Sequence, residues 1–225
     1  IQAIINCAIL HPNKSFNFKK SQIYNVNYKM VLKILNLSLK NNLQFFINLG
    51  GHSLKEKLKE KNLSKIQKLY FHTKYIVEKK ILSIKTPKTR VISLNIIAPY
   101  GFILDETSVV PKFINHAKQG KDINIFSDGK RKQYFTFSED IGSACRYIFK
   151  KNLSGPIPFA GSSAITTKHL AKTIIKVVGK KKIRLFFNKK IKDKDGIALK
   201  NYIKEKKLKK TLLIKRHNLK QSLKK

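Results

Sequence analysis

Three short runs of mostly apolar residues constrain this chain more than anything else in it. They span residues 1–9, 43–49 and 90–97. Runs of that length read as strands buried on both faces, the kind found inside parallel sheets. The first fits a central strand. Helical spacing fills the gaps: residues 27–39 place Met30, Val31, Ile34, Leu35 and Leu37 together, and residues 66–82 form a second helix. Gly50 and Gly51 break the second run, and Pro99, Tyr100 and Gly101 close the third. Strand, helix, strand, helix, strand in this order predicts an α/β fold with a parallel sheet. Ligands in such sheets bind beyond the carboxyl ends of the strands. Those ends are Ala8, Gly50–Gly51 and Ala98–Pro99.

The second helix begins just after one of those ends and carries Tyr70, Lys74 and Glu78. Residues four apart on a helix stack on one face. A phenol ionises near pH 10, too high for ready proton transfer at neutral pH. An ammonium one turn away favours the phenolate and lowers that value, so the pair can move a proton on or off a substrate oxygen. Spacing alone is weak support, because four of the eight tyrosines (Tyr70, Tyr75, Tyr147 and Tyr202) have a lysine four residues on. Lys74 and Glu78 could equally form an ordinary surface pair. The position of Tyr70 near the expected crevice singles it out.

From Leu104 the pattern changes. Helices are predicted over 109–120, 141–150 and 168–178, the second capped by Glu139 or Asp140 and the third by Thr166–Thr167, with Gly179 as its stop. Pro111 is tolerated in the first turn of its helix. Short strands are predicted over 123–126, 135–137 and 156–160. The tail from Lys180 carries 19 basic residues against 3 acidic, with one or two weak helical patterns. The expected division is 1–103, 104–185 and 186–225.

The formal charge is +37, yet only 5 of the 49 basic residues are arginine. Arginine is the residue that reads bases and grips phosphate with two parallel hydrogen bonds. Lysines spread evenly, without interleaved aromatics, argue against a nucleic-acid surface. Cys7 and Cys145 sit apart in apolar stretches and read as core residues, not as a disulfide or metal pair, which points to a reducing cytoplasm. The six histidines show no metal-ligand spacing, so no metal is expected. No run of about 18 apolar residues exists, so no membrane span is expected. The chain opens on Ile1 inside an apolar run, so its natural N-terminus is expected to lie upstream.

In order and spacing these residues resemble the extended short-chain dehydrogenases/reductases, the nucleotide-sugar epimerases and dehydratases. Ile4 to Ala8 is similar to the family's strand that ends in small residues against the NAD pyrophosphate, and Asn27 with Ile34–Leu35 to its Asn-bearing helix. Tyr70, Thr73, Lys74 and Glu78 resemble its catalytic helix. Val109 to Phe113, Gly120, Ile125 to Gly129, Phe135 to Phe137 and Glu139 to Ile141 resemble its substrate-binding half. The resemblance implies an incomplete Rossmann-like parallel sheet with flanking helices and a small α+β substrate-binding part. It implies Tyr70 as general acid/base and Lys74 on the nicotinamide ribose. NAD or NADP would lie against Ala8, Asn27, Tyr70, Lys74 and Ile97. A nucleotide-sugar substrate would lie against Gly50, Gly51, Ser53, Ala98, Val110 and Gln133. It also implies a homodimer through helices that include that of Tyr70.

The chain departs from the family's pattern as well. It has no Gly-rich dinucleotide fingerprint. The hydroxyl residue that ends the second strand falls on Gly50–Gly51, with Ser53 and His52 nearby. The usual arginine after Leu94 is Asn95, the substrate-contacting asparagine is Ala98, and the phosphate-binding arginine falls on Gln133, with Arg131 and Lys132 adjacent. Three functions follow in order: an NAD(P)-dependent nucleotide-sugar epimerase, dehydratase or reductase; a non-catalytic or decaying relative; and a basic nucleic-acid-binding protein.

Overall fold

In a computed structural model, residues 1–12, 18–101, 108–180, 182–188 and 212–224 are described. They divide into two units, one of residues 1–96 with 143–159 and one of 97–142 with 160–225.

The first unit contains β1 (Ala3–Asn6), α1 (Lys20–Tyr24), a π-helical segment (Asn25–Met30), α2 (Val31–Lys40), β2 (Phe45–Gly51), α3 (Leu54–Lys57), α4 (Lys65–Ser83) and β3 (Arg90–Ile96). The apolar runs thus become parallel strands. With β8 (Gly155–Phe159) they form a four-stranded sheet in the order β1-β2-β3-β8. One face is closed by helices: Phe46 and Val91 pack with Val31 and Leu35 of α2 and with Val77 and Ile81 of α4. On the other, the Phe45 ring meets Phe149 at 4.8 Å.

Two expectations change here. Among the described residues β1 pairs with β2, and it ends at Asn6. Cys7, just past that end, is consequently exposed, whereas Cys145 is buried as expected. The first helix also starts earlier than the apolar pattern suggests, at Lys20, where the Gln22 side chain accepts from the Lys19 N–H at 2.8 Å. Asn27 therefore lies inside a helical segment and does not begin one.

The second unit contains β4 (Pro99–Tyr100), α5 (Val109–Lys118), β5 (Ile123–Phe126), β6 (Lys132–Tyr134), β7 (Thr136–Phe137), β9 (Ala164–Thr166), α7 (Thr167–Val178), β10 (Leu185–Asn188) and α8 (Leu219–Leu223). The helix α6 (Ser138–Lys150) runs from this unit into the first. Its strands form three pairs: β4 with β7 and β5 with β10, both parallel, and β6 with β9, antiparallel. The core joins Val110, Phe113 and Ala117 of α5, Ile123 and Ile125 of β5, and Leu170, Ala171 and Ile174 of α7.

Thr166 caps α7 by accepting from the His169 N–H, and Gly179 ends it at φ 76°. Glu139 and Asp140 do not cap α6 from outside, because the helix begins at Ser138 and both fall in its first turn. Asp140 is buried there and accepts from the His217 N–H, with His217 Nδ1 at 2.7 Å from Oδ1. β4, β6, β9 and β10 were not expected. The helical patterns expected in the tail fall largely on residues 189–211, outside the described ones. No helix of the described residues is long and apolar enough to cross a membrane.

Candidate functional site

α4 owes its start to Ser64, whose hydroxyl accepts from the Gln67 N–H while the Gln67 side chain accepts from the Ser64 N–H. Such reciprocal caps satisfy two backbone donors at a helix end. Its buried face holds Tyr70, Thr73, Val77 and Ile81. The Thr73 hydroxyl is fully buried and donates to the Tyr70 carbonyl at 2.9 Å.

Tyr70 is 9 % exposed. Its ring meets His11 edge-on at 4.9 Å, and the Lys74 ammonium lies 5.7 Å from its centroid. The two groups do not titrate as the sequence suggests. Burial pushes the Tyr70 phenol up to about 12. Burial also pulls Lys74 down to about 8, against the supporting charge of Glu78. Desolvation disfavours the charged form of each group, and it is the largest cause in both. At neutral pH the phenol is therefore protonated.

Gly51 is beside this pair: a Cβ added there would lie 3.5 Å from Lys74 Cε and 3.0 Å from a Leu54 methyl. Gly50 leaves no room at all. A Cβ would fall 2.4 Å from Asn95 Oδ1 and 2.8 Å from Ser93 Oγ. Asn95 in turn donates to Glu78 Oε1 at 2.6 Å and accepts from Ser93 Oγ at 2.8 Å. Burial raises the Glu78 carboxyl above its usual range, while the Asn95 hydrogen bond and the Lys74 charge oppose that rise.

Ser53 stands at the start of α3 with φ 53°, and its side chain makes no capping bond. Next to it, burial pulls the His52 imidazole down to about 4, with Glu56 opposing. Ala8 is exposed in the segment after β1. Asn27 pins that segment: its Oδ1 accepts from the Leu10 N–H at 2.8 Å and its Nδ2 donates to the Leu10 carbonyl at 2.9 Å. The fold thus brings Tyr70, Lys74 and Gly51 together, joins Gly50 to them through Asn95 and Glu78, and ties Asn27 to the loop of Ala8. His11 on Tyr70 and the amide of Asn95 beneath Glu78 had no role assigned from sequence. A neutral residue where the family has arginine was the available sign of the second.

The other sequence-derived residues belong to the second unit. The Ile97 carbonyl accepts from the Thr136 hydroxyl at 2.5 Å. Ala98 adopts φ 37°, and its carbonyl accepts from the Thr136 N–H at 3.1 Å. The Val110 side chain is buried in the core of that unit. Gln133 is half-buried on β6, opposite Ile165 of β9. Arg131, two residues before it, has a buried Nε with no hydrogen-bond partner among the described residues.

A parallel sheet with a tyrosine–lysine helix beside a strand's carboxyl end can be compared with known proteins. The chain is similar in structure to the UDP-glucose 4-epimerase of Thermotoga maritima, with UDP-glucose, at 17 % identity and a TM-score of 0.75, covering 99 % of this chain and 75 % of that one. It is similar to the dTDP-glucose 4,6-dehydratase of Bacillus anthracis, in complex with NAD, at 19 % identity and 0.69, covering 100 % and 70 %. It is likewise similar to the GDP-mannoheptose C4 reductase of Campylobacter jejuni, with NADP bound, at 17 % and 0.73, covering 99 % and 79 %. At these identities the likeness establishes the fold. No curated protein matches the chain in sequence. The profile of the NAD dependent epimerase/dehydratase family matches residues 1–159. The chain belongs to the NAD-dependent epimerase/dehydratase family.

Proposed function

We propose that the protein acts on a nucleotide sugar with NAD or NADP, as an epimerase, dehydratase or reductase, and that Tyr70 is its general acid/base. The observation that carries this reading is the Tyr70–Lys74 pair beside Gly51, at the carboxyl end of β2 in a chain of this family. The resemblance supports nucleotide sugars as the substrate class, as does the UDP-glucose of the similar Thermotoga maritima epimerase, while the NAD of the similar Bacillus anthracis dehydratase supports the cofactor.

The residues present suit the nicotinamide end of a dinucleotide. Glycine at position 51 leaves bare the space beside Lys74 Cε, where a Cβ would press on Leu54 and touch Lys74 at ordinary contact distance. Lys74 would hold the ribose hydroxyls, and Ala8, Asn27 and Ile97 would border the cofactor. When bound, the nicotinamide would supply and accept the hydride. The chain's own part is proton placement. Tyr70, protonated at neutral pH, donates to a substrate oxygen, and the nearby ammonium stabilises the phenolate left behind. Gly50, Gly51, Ser53, Ala98, Val110 and Gln133 would border the sugar nucleotide. Arg131, with its buried unpartnered Nε, is the cation suited to its phosphates. A homodimer through the α2 and α4 surface fits the exposure of Leu37 and Leu82, and the cytoplasm fits two free cysteines.

In the full-length protein, NAD(H) binding is expected by fluorescence, together with turnover of at least one UDP-, dTDP- or GDP-sugar. Tyr70→Phe is expected to lower kcat by about 10²–10⁴-fold and leave NAD(H) binding intact. Turnover unaffected by Tyr70→Phe would remove the assignment. A second reading, a non-catalytic relative, is favoured by Gly50. Where the family has a hydroxyl, this chain has none, and Asn95 and Ser93 occupy the space. It predicts NAD(H) binding without turnover of any sugar nucleotide.

A further inference from the structure

The geometry points to Asn95 as a positioning residue: backed by Ser93, its amide fixes the Glu78 carboxylate at the foot of the Tyr70–Lys74 line and so holds a negative charge one helical turn from the Lys74 ammonium. The functional meaning of this arrangement rests on the reading of Tyr70 and Lys74 given above.

The sheet face beneath α4 is more polar than its apolar strands suggest. Asn6, Asn48 and Ser93 are direct partners in the registers of β1, β2 and β3, so they form one polar rung across three strands. Asn6 Nδ2 donates to Asn48 Oδ1 at 2.7 Å, and Ser93 is fully buried. A separate chain of hydrogen bonds begins at Ser93 and leaves the sheet, through Asn95 Oδ1 and Nδ2, to Glu78 on α4. The Ser93 hydroxyl occupies the amide oxygen, which leaves the NH₂ group turned to Glu78. Gly50, the direct partner of Asn95 in the register, lacks a side chain that would collide with this pair.

Asn95 is neutral, so it holds Glu78 without cancelling its charge. Glu78 then remains the carboxylate that supports the Lys74 ammonium in a setting where burial works against it. The other groups around the line are few. Glu56 of α3 acts on Glu78 with like charge and faces His52, and His11 packs on Tyr70. The helical segment packed across α4, residues 20–30, contains lysines and tyrosines but no carboxylate. With Glu78 loosened or protonated, nothing else on α4's own line restores the support.

Protein carrying ¹³Cζ-tyrosine tests this by NMR without substrate or cofactor, with Tyr70→Phe identifying the resonance. Wild type is expected to show an inflection in the Tyr70 signal near pH 8, lost in Lys74→Met. Asn95→Leu is expected to move that inflection down by about half a unit or more. Glu78→Gln is expected to move it at least as far, and the double variant no further. Ser93→Ala shifts it less, in the same direction, and carries the test if Asn95→Leu does not fold. Absence of the inflection in wild type, an unchanged inflection in folded Asn95→Leu, or additive shifts in the double variant would overturn the proposal. NAD(H) binding and turnover do not enter the readout, so this result and that for the enzymatic reading stand apart.

Discussion

Asn27 closes a loop with both ends of one amide. Its side chain is 3 % exposed and satisfies both backbone groups of Leu10. Asn27→Leu is expected to destabilise the protein by about 2 kcal/mol, read as a fall in the urea midpoint, since it leaves two backbone groups without partners. Gly50 makes a different demand. Gly50→Ala places a methyl against Asn95 Oδ1 and is expected to cost about 2 kcal/mol, of which Asn95→Ala in the same chain recovers a large part. A double-mutant cycle on urea unfolding measures that coupling. At this scale the sequence showed that Gly50 and Asn95 were unusual for the family. It could not show that the two meet, because their contact depends on the pairing of β2 with β3.

Elements were easiest to read where a local cap agreed with the periodicity. α4 was placed within a residue at either end, and Ser64 with Gln67 accounts for its sharp start. Ser64→Ala is expected to cost about 1 kcal/mol, seen as a lower thermal midpoint, with Ser64→Asp close to wild type. α7 was equally clear from Thr166 and Gly179. The elements missed were short or lacked a signal of their own. β4 has two residues, β6 and β9 three each and β10 four, the last set among lysines, and each is defined by its partner: β4 with β7, β6 with β9 and β10 with β5. The π-helical segment has no sequence signature either. It continues α1 into α2 and carries Asn27 toward Leu10.

For the molecule as a whole, the buried groups shape stability against pH. His52 titrates near 4 when folded and near 6.5 otherwise, so the unfolded chain holds more protons in that window and stability falls as pH drops through it. Lys74 titrates near 8 when folded against 10.5 otherwise, so the unfolded chain again holds more protons between those values and stability rises with pH. Cys145 and Tyr70 act in the opposite sense, from about 9 and about 10 upward, because the folded chain keeps the thiol proton up to about 11 and the phenol proton up to about 12, so the rise is confined to about pH 8–9. Urea midpoints across the pH range are expected to show the acid loss and the alkaline rise, and Lys74→Met is expected to flatten the rise alone. The parallel sheet was legible because apolar runs and helical segments alternate.

The row of Asn6, Asn48 and Ser93 also bears on how the strands find their alignment. Aliphatic side chains on adjacent strands would tolerate a slip by two residues, which keeps the same side chains facing inward. The carboxamides of Asn6 and Asn48 do not, because a two-residue slip of β1 on β2 parts them and breaks their hydrogen bond. Two modest carboxamides thereby act as an alignment key for β1 on β2, rejecting threadings that hydrophobicity alone would accept.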